Sequence, residues 1–90
     1  MRRINLTARA QKFLHKLPPK HERQVVGKIA SLADNPLPSD SKQLTGYALL
    51  RRADIGEYRI IYDTEKTTLF VILIGRRNDS DVYKELRRAM

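Results

Sequence analysis

The segment TLFVILI, residues 68–74, constrains the fold of this chain more than any other stretch, because it is apolar at nearly every position. A half-exposed strand alternates apolar and polar residues, whereas a strand buried on both faces is a continuous apolar run. The segment therefore predicts a central strand that is covered on both sides.

The longest apolar run of the chain, 69–74, is far too short to span a bilayer. The basic start, MRRINLTARA, lacks the apolar core of a signal peptide, so we expect a soluble, cytoplasmic protein.

The residues before this segment predict its neighbours in a sheet. In EYRIIYD, Tyr58, Ile60 and Tyr62 fall on one face, and Arg59 and Ile61 fall on the other. Gly, Asp and Thr between the apolar runs indicate turns. The predicted elements are a strand at 46–52 (GYALLRR), a turn at 53–56 (ADIG), a strand at 57–63 (EYRIIYD) and a hairpin connection at 64–67 (TEKT).

The first part of the chain predicts a short strand and two helices. RRINL, residues 2–6, can form the strand, and Thr7 is a suitable N-cap for the first helix. Apolar residues then recur at helical spacing until Pro18-Pro19 ends that helix. A second helix is predicted from Pro19 or Lys20 to Asp34. The apolar positions of the two helices are Ala10, Phe13, Leu14, Leu17, Val25, Val26, Ile29, Leu32 and Ala33.

A third helix is predicted after Gly75, where Asn78 can cap it and Asp81 stands in the capping-box position. Asp79 and Asp81 suit the positive end of its dipole, Arg87 and Arg88 suit the negative end, and Val82 and Leu86 are spaced to face the core. The predicted order is β-α-α-β-β-β-α. It indicates a single α+β domain, residues 1–90, with two N-terminal helices packed on a small antiparallel sheet and a C-terminal helix.

The charge of the chain predicts a polyanionic partner. The formal net charge is +8, and residues 1–45 carry nine Lys or Arg against three acids, while residues 46–90 carry nine against seven. A small domain of this charge suits nucleic acid first, with an acidic protein as the alternative. The basic exterior of the two helices would then contact phosphates, unless it is an ordinary solvated face.

The composition argues against several catalytic classes. The chain has no cysteine, and its two histidines, His15 and His21, lie six positions apart with no second ligand beside them, which disfavours a zinc site. The acids flank turns and helix starts, and the four glycines match no phosphate-binding loop. We therefore expect no metal and no other cofactor.

Arginine and tyrosine remain as the candidate chemistry. If the strands that carry Arg59 and Arg77 are neighbours, their guanidinium groups can converge on one face, with Arg51 and Arg52 on the preceding strand and Arg76 beside them. Guanidinium forks suit phosphate. Such a site could stabilise the phosphorane formed when a 2′-hydroxyl attacks phosphate, while Tyr83 stacks on a base or moves a proton. Alternatively, these arginines pair with nearby acids or solvate a strand end, and Tyr83 packs in the core.

At these residues the sequence resembles a known family. IGEYRIIY, followed by an apolar strand and IGRRNDSDVY, is similar to the RelE/ParE superfamily of bacterial toxins. ARAQKFLHKLP, SLADNP and the turn at Leu44 and Gly46 resemble it too, so the likeness covers nearly the whole chain.

For RelE-like members the resemblance implies a toxin of a type II toxin–antitoxin system that cleaves mRNA in the ribosome without a metal ion and is neutralised by an acidic antitoxin. It implies catalytic roles for Arg59, Arg77 and Tyr83, and RNA-binding roles for Arg52 and, less closely matched, Arg51. Asp54 departs from the pattern, because many relatives have a basic residue there, and we expect it to weaken a phosphate contact and with it the nuclease activity. ParE-like members share the fold but inhibit DNA gyrase, and a non-catalytic RNA-binding homologue is a further alternative.

Overall fold

The computed structural model describes residues 1–47, 49–78 and 81–89. Its elements follow the order β-α-α-β-β-β-β-α. They are β1 (Arg3–Leu6), α1 (Ala8–His15), α2 (Pro19–Asp34), β2 (Lys42–Gln43), β3 (Arg51–Ile55), β4 (Tyr58–Thr64), β5 (Thr68–Arg76) and α3 (Asp81–Ala89). None of these helices is both long enough and apolar enough to cross a bilayer.

The five strands form one sheet in the order β1-β5-β4-β3-β2. The apolar strand β5 is central, as predicted, and pairs with β4 on one side and β1 on the other. The predicted α+β class is confirmed, with two differences. β1 runs parallel to β5, so the sheet is mixed, and the short edge strand β2 was not predicted. A parallel pair requires a long crossover, which α1 and α2 supply along with the strands after them.

The sheet is covered on both faces. On one face, α1 and α2 bury a large cluster that includes Tyr58, Ile60 and Tyr62 of β4. On the other face, Ile61 packs with Leu86 of α3 in a second, smaller cluster. The alternation predicted for β4 is therefore confirmed. Because one strand serves two cores, odd and even positions of β4 face different layers.

A β-bulge interrupts the pairing of β5 with β4. Ile61 pairs with Leu73, but the next residue of β4, Tyr62, pairs with Val71, so Ile72 is an extra residue in the ladder. Ile72 and Leu73 both pack toward the α3 cluster, while Val71 belongs to the cluster under α1 and α2. The bulge thus reverses the phase of side-chain alternation in the second half of β5.

The strand predicted at 46–52 and the turn predicted at 53–56 were wrong in their boundaries. Residues 44–47 and 49–50 belong to a compact loop, in which the Leu44 amide donates to the Leu50 carbonyl at 2.8 Å and Gly46 has a φ of 85°. That positive φ suits glycine and breaks an extended chain. The strand instead starts at Arg51 and continues to Ile55, and the turn is formed by Gly56 and Glu57.

Local signals at the helix starts were partly confirmed. The Thr7 hydroxyl accepts a hydrogen bond from the Ala10 amide at 3.1 Å, as expected of an N-cap. α2 begins at Pro19 and ends at Asp34, as predicted. α3 is described from Asp81 to Ala89, and the first turn that a cap at Asn78 predicts includes residues 79 and 80, which lie outside the described residues. Leu86 is buried as predicted, whereas Asp79 and the side chains of Asp81 and Val82 lie outside the described residues.

Candidate functional site

A pocket of about 430 Å³ opens on the α3 face of the sheet. Strands β3 and β4 form its floor, α3 forms one wall, and residues 44–47 form the other. Three of its side chains are arginines and two are tyrosines, so it combines positive charge with aromatic surface. The residues that line it are Leu44, Thr45, Tyr47, Arg52, Arg59, Tyr83 and Arg87.

Arg59 is a largely buried cation of the pocket, with 14% of its side chain accessible. Its Nε and Nη2 atoms donate to the two carboxylate oxygens of Asp54 at 2.7 and 3.1 Å. Its Nη1 atom donates to the Tyr83 hydroxyl at 2.5 Å. Gly75 is its partner on β5, and cross-strand partners share a face, so the residue opposite Arg59 on β5 has no side chain. The predicted approach of Arg59 and Tyr83 is therefore present in the structure.

Arg77 lies on the same side of the sheet as Arg59. Its Nε atom is 3.8 Å from Oδ2 of Asp54, and its Nη1 atom donates to the Gly56 carbonyl at 3.3 Å. Its amide donates to the Glu57 carbonyl at 2.9 Å, which fixes the backbone just after β5. Both guanidinium groups thus approach one carboxylate, as their predicted convergence requires, although Arg77 is half exposed and does not line the pocket.

Asp54 lies at the centre of this charge cluster. The hydrogen bond from Arg59 is the largest cause that holds the pKa of Asp54 below its ordinary value of 3.8, and the charges of Arg59, Arg77 and Arg52 act in the same direction against partial burial. The same hydrogen bond raises the pKa of Arg59, and the bond to Tyr83 adds to that shift. The site therefore contains a carboxylate and several guanidinium groups, all ionised at neutral pH.

Two of the predicted RNA-binding residues lie on the opposite face. Arg51 pairs with Tyr62 across β3 and β4, and its Nη2 atom donates to the Ser41 hydroxyl at 2.8 Å. Arg76 lies over the Tyr58 ring, 5.6 Å from its centroid. The prediction that they share a patch with Arg59 is corrected, because neighbouring strand residues point to opposite sides. Of the three, only Arg52 lines the pocket.

The sequence analysis overlooked two residues of the pocket. Arg87 was assigned only to the helix dipole, but it stands four positions after Tyr83 on α3, and helical residues at this spacing share a face. Tyr47 was placed in a strand, whereas it belongs to the loop that forms the wall. The helical spacing could have identified Arg87, but no local signal identifies Tyr47.

The geometry favours chemistry that is driven by fixed positive charge. Within residues 1–47, 49–78 and 81–89, no group of three or more His, Cys, Asp or Glu side chains is placed to bind a metal ion. Guanidinium groups can stabilise the extra negative charge of a pentacoordinate phosphate without such an ion. The Tyr83 oxygen accepts from Arg59, so its own proton remains available for transfer.

Comparison with known proteins gives consistent matches. Residues 4–80 match the family of ParE toxins of type II toxin–antitoxin systems, parDE. Among solved structures, the chain is similar to the RelBE2 toxin–antitoxin complex from Mycobacterium tuberculosis, at 30% identity over 84% of this chain and 98% of the other, with a TM-score of 0.74. No curated protein matches at a significant level.

Two further structures resemble this one. The archaeal RelE–RelB complex from Pyrococcus horikoshii OT3 matches at 26% identity over 84% of this chain and 94% of the other, with a TM-score of 0.73. The isolated E. coli RelE toxin matches over the whole of both chains at 24% identity, with a TM-score of 0.75. At that identity the latter shows the fold alone.

Proposed function

The chain belongs to the RelE/ParE superfamily of type II toxin–antitoxin toxins, and on that premise we propose that it is an mRNA endonuclease that acts at the ribosome. The observation that carries this proposal is the bond from Arg59 to Tyr83 inside a cationic pocket. A guanidinium group fixed beside a phenol is suited to bind a phosphate and to move a proton at one place. Cleavage of mRNA would arrest translation.

In the proposed reaction, the RNA supplies its own nucleophile. The 2′-hydroxyl gives its proton to water as its oxygen attacks the adjacent phosphorus, the bond to the 5′-oxygen breaks, a 2′,3′-cyclic phosphate remains, and water returns a proton to Tyr83 after the reaction. Arg59 and Arg77 stabilise the phosphorane, while Tyr83 gives its proton to the departing 5′-oxygen. Arg52 and Arg87 hold neighbouring phosphates. We omit Arg51 and Arg76 from this site, because they lie on the opposite face.

The structure offers a matched control for a test of this proposal. Arg76 and Arg77 are adjacent in sequence and carry the same charge, but only Arg77 approaches the Asp54 carboxylate. We expect Arg59→Ala and Arg77→Ala to abolish both growth arrest and new 5′ ends in cellular mRNA, measured by primer extension after induction. Arg76→Ala should retain both. Intact messages during arrest by the wild-type chain, or full cleavage by Arg77→Ala, would refute the proposal.

Inhibition of DNA gyrase is the second candidate. The match of residues 4–80 to the ParE family favours it. Gyrase inhibition needs a protein-binding surface and no reaction at Arg59 and Tyr83. Supercoiling by purified gyrase, with and without the chain, separates the two functions. Loss of supercoiling together with intact mRNA would establish the second candidate in place of the first.

We also propose that a short acidic antitoxin binds this chain. The structures from M. tuberculosis and P. horikoshii to which this chain is similar were solved as toxin–antitoxin complexes. The net charge of +8 favours an acidic partner. Co-expression of the product of a neighbouring gene for a short acidic protein should abolish the growth arrest and co-purify with the chain. Arrest that persists with a co-purifying partner present would contradict this role.

A further inference from the structure

We propose that Asp54 is a positioning residue, which holds Arg59 in the one orientation that brings it to Tyr83 and to the pocket. This inference rests on the proposed endonuclease activity, which it deepens. Asp54 does not line the pocket, and we assign it no direct contact with RNA. It acts through the guanidinium group that it binds.

The hydrogen bonds divide the guanidinium group into two parts. Asp54 accepts from Nε at 2.7 Å and from Nη2 at 3.1 Å, which together form one edge of the planar group. The remaining terminal atom, Nη1, donates to Tyr83. A bidentate bond fixes the plane and the direction of a guanidinium group at once. The position of Asp54, directly opposite Arg59 in the β3–β4 ladder, therefore determines where Nη1 points.

The charges around Asp54 require a carboxylate at this place. Arg52, Arg59 and Arg77 all lower its pKa through their positive charge. Without it, Arg59 would be a largely buried cation with no counter-ion among the described side chains, next to Arg77, and like charges at short range repel. Arg59 would then turn toward solvent and away from Tyr83.

The same carboxylate should weaken the binding of RNA, because it repels phosphate. The positioning role affects kcat and the repulsion affects KM, so the two can be measured separately. Removal of the charge should lower kcat, since Arg59 leaves its place, and should lower KM, since the pocket becomes more positive. A role in stability alone would reduce the fraction of active protein, which changes the apparent kcat but not KM.

The decisive variant is Asp54→Asn, assayed with ribosomes programmed with a defined mRNA. We expect kcat to fall by about 10- to 100-fold, as for other displacements of a reacting group by about an ångström. KM should fall by roughly two- to fivefold, from the loss of one charge near the phosphate. The matched control is Asp40→Asn. It removes a carboxylate that is paired with Lys28 at 2.8 Å and does not line the pocket, so both constants should stay unchanged.

A second variant, Asp54→Glu, tests the proposal if Asp54→Asn does not fold. It retains the charge but displaces the carboxylate by one methylene, so kcat should fall while KM stays constant. Unchanged kcat in Asp54→Asn or in Asp54→Glu would overturn the proposal. So would a lower kcat with unchanged KM in Asp54→Asn.

A readout without activity separates this inference from the proposed function. The ring 13Cζ signal of Tyr83, assigned by its loss in Tyr83→Phe, should shift in Asp54→Asn and stay in place in Asp40→Asn. If the wild-type chain cleaves no mRNA, the endonuclease proposal fails, and a shifted Tyr83 signal still supports the positioning by Asp54. If mRNA is cleaved but the Tyr83 signal does not move, the positioning inference fails alone.

Discussion

Replacement of Leu86 by alanine should detach α3 from the sheet while the rest of the fold stays intact. Leu86 is fully buried against Ile61 and Leu73, and it is the one buried residue among the described side chains of α3. The helix has nine residues, and isolated helices of that length are not stable in water. The docking of Leu86 therefore sustains α3, and with it the position of Tyr83.

The size of the effect follows from the burial of Leu86. A fully buried leucine that is cut to alanine costs about 3 to 4 kcal/mol, through lost burial and the cavity that remains. Each 1.4 kcal/mol is a factor of ten in an equilibrium. If this free-energy cost applies to the docking of α3 on the sheet, the undocked population should rise by roughly 100- to 1,000-fold.

Amide hydrogen exchange measures that population directly. In Leu86→Ala, amides in the last turns of α3 should exchange faster by about this factor, while those of β4 and β5 should change much less. The control is Leu32→Ala, an equal truncation at a fully buried position of α2. It should speed exchange across the whole domain, with no selective effect on α3. Uniform acceleration in both variants would refute the idea that Leu86 docks the helix.

Three further outcomes follow from single contacts. Tyr62→Phe removes the donor to the Pro36 carbonyl, a bond of 2.6 Å at a fully buried ring, and should lower the free energy of unfolding in urea by about 1 to 2 kcal/mol; no change would contradict the role of this bond in anchoring the loop. Thr7→Ala removes the N-cap of α1 and should cost about 1 kcal/mol in the same assay, with Thr7→Ser restoring most of it. The pKa of Asp54 is lowered by Arg59, so its contribution to stability is complete above 3.8 and is lost as the pH falls below that value. Acid unfolding of Asp54→Asn should thus lack this part of the wild-type pH dependence, and identical acid profiles would argue against the ion pair.

The alternation of side chains between two faces and the continuous apolar run were enough to predict the α+β class and the central strand. The TLFVILI run predicted the central strand, and the alternation around Arg59 predicted which side chains of β4 face each layer. The parallel pairing of β1 with β5 could not be predicted, because it depends on where the helical crossover returns the chain. β2 has only two residues, too few for any period to appear.

The relative placement of the central arginines and the tyrosine was predicted correctly, whereas that of two neighbouring arginines was not. Arg59, Arg77 and Tyr83 come together, and Arg52 faces the pocket. Assignment of Arg51 and Arg76 to the same patch ignored the alternation of neighbouring strand residues. These residues belong to adjacent pairs, Arg51 with Arg52 and Arg76 with Arg77, and the face that each member takes depends on strand boundaries and on the bulge, neither of which the sequence pattern reveals.

Asp54 shows a different limit of sequence reasoning. We expected it to weaken a phosphate contact, since a carboxylate repels phosphate. The structure places it opposite Arg59, in a ladder closed by a two-residue turn. With the turn predicted at 53–56, Asp54 lay inside the turn and could not be assigned a cross-strand partner.

The extra residue at Ile72 has a consequence for how this protein can vary. In an uninterrupted strand, Val71, Leu73 and Gly75 would all face α1 and α2, and Arg77 would follow them there. The additional residue, Ile72, shifts the alternation of side chains by one position, so that Arg77 lies on the same face as Asp54. A substitution along β5 changes one side chain and keeps the register, but the insertion of a single residue between Leu73 and Gly75 would invert the strand's end and dismantle the site while leaving every functional side chain in the sequence.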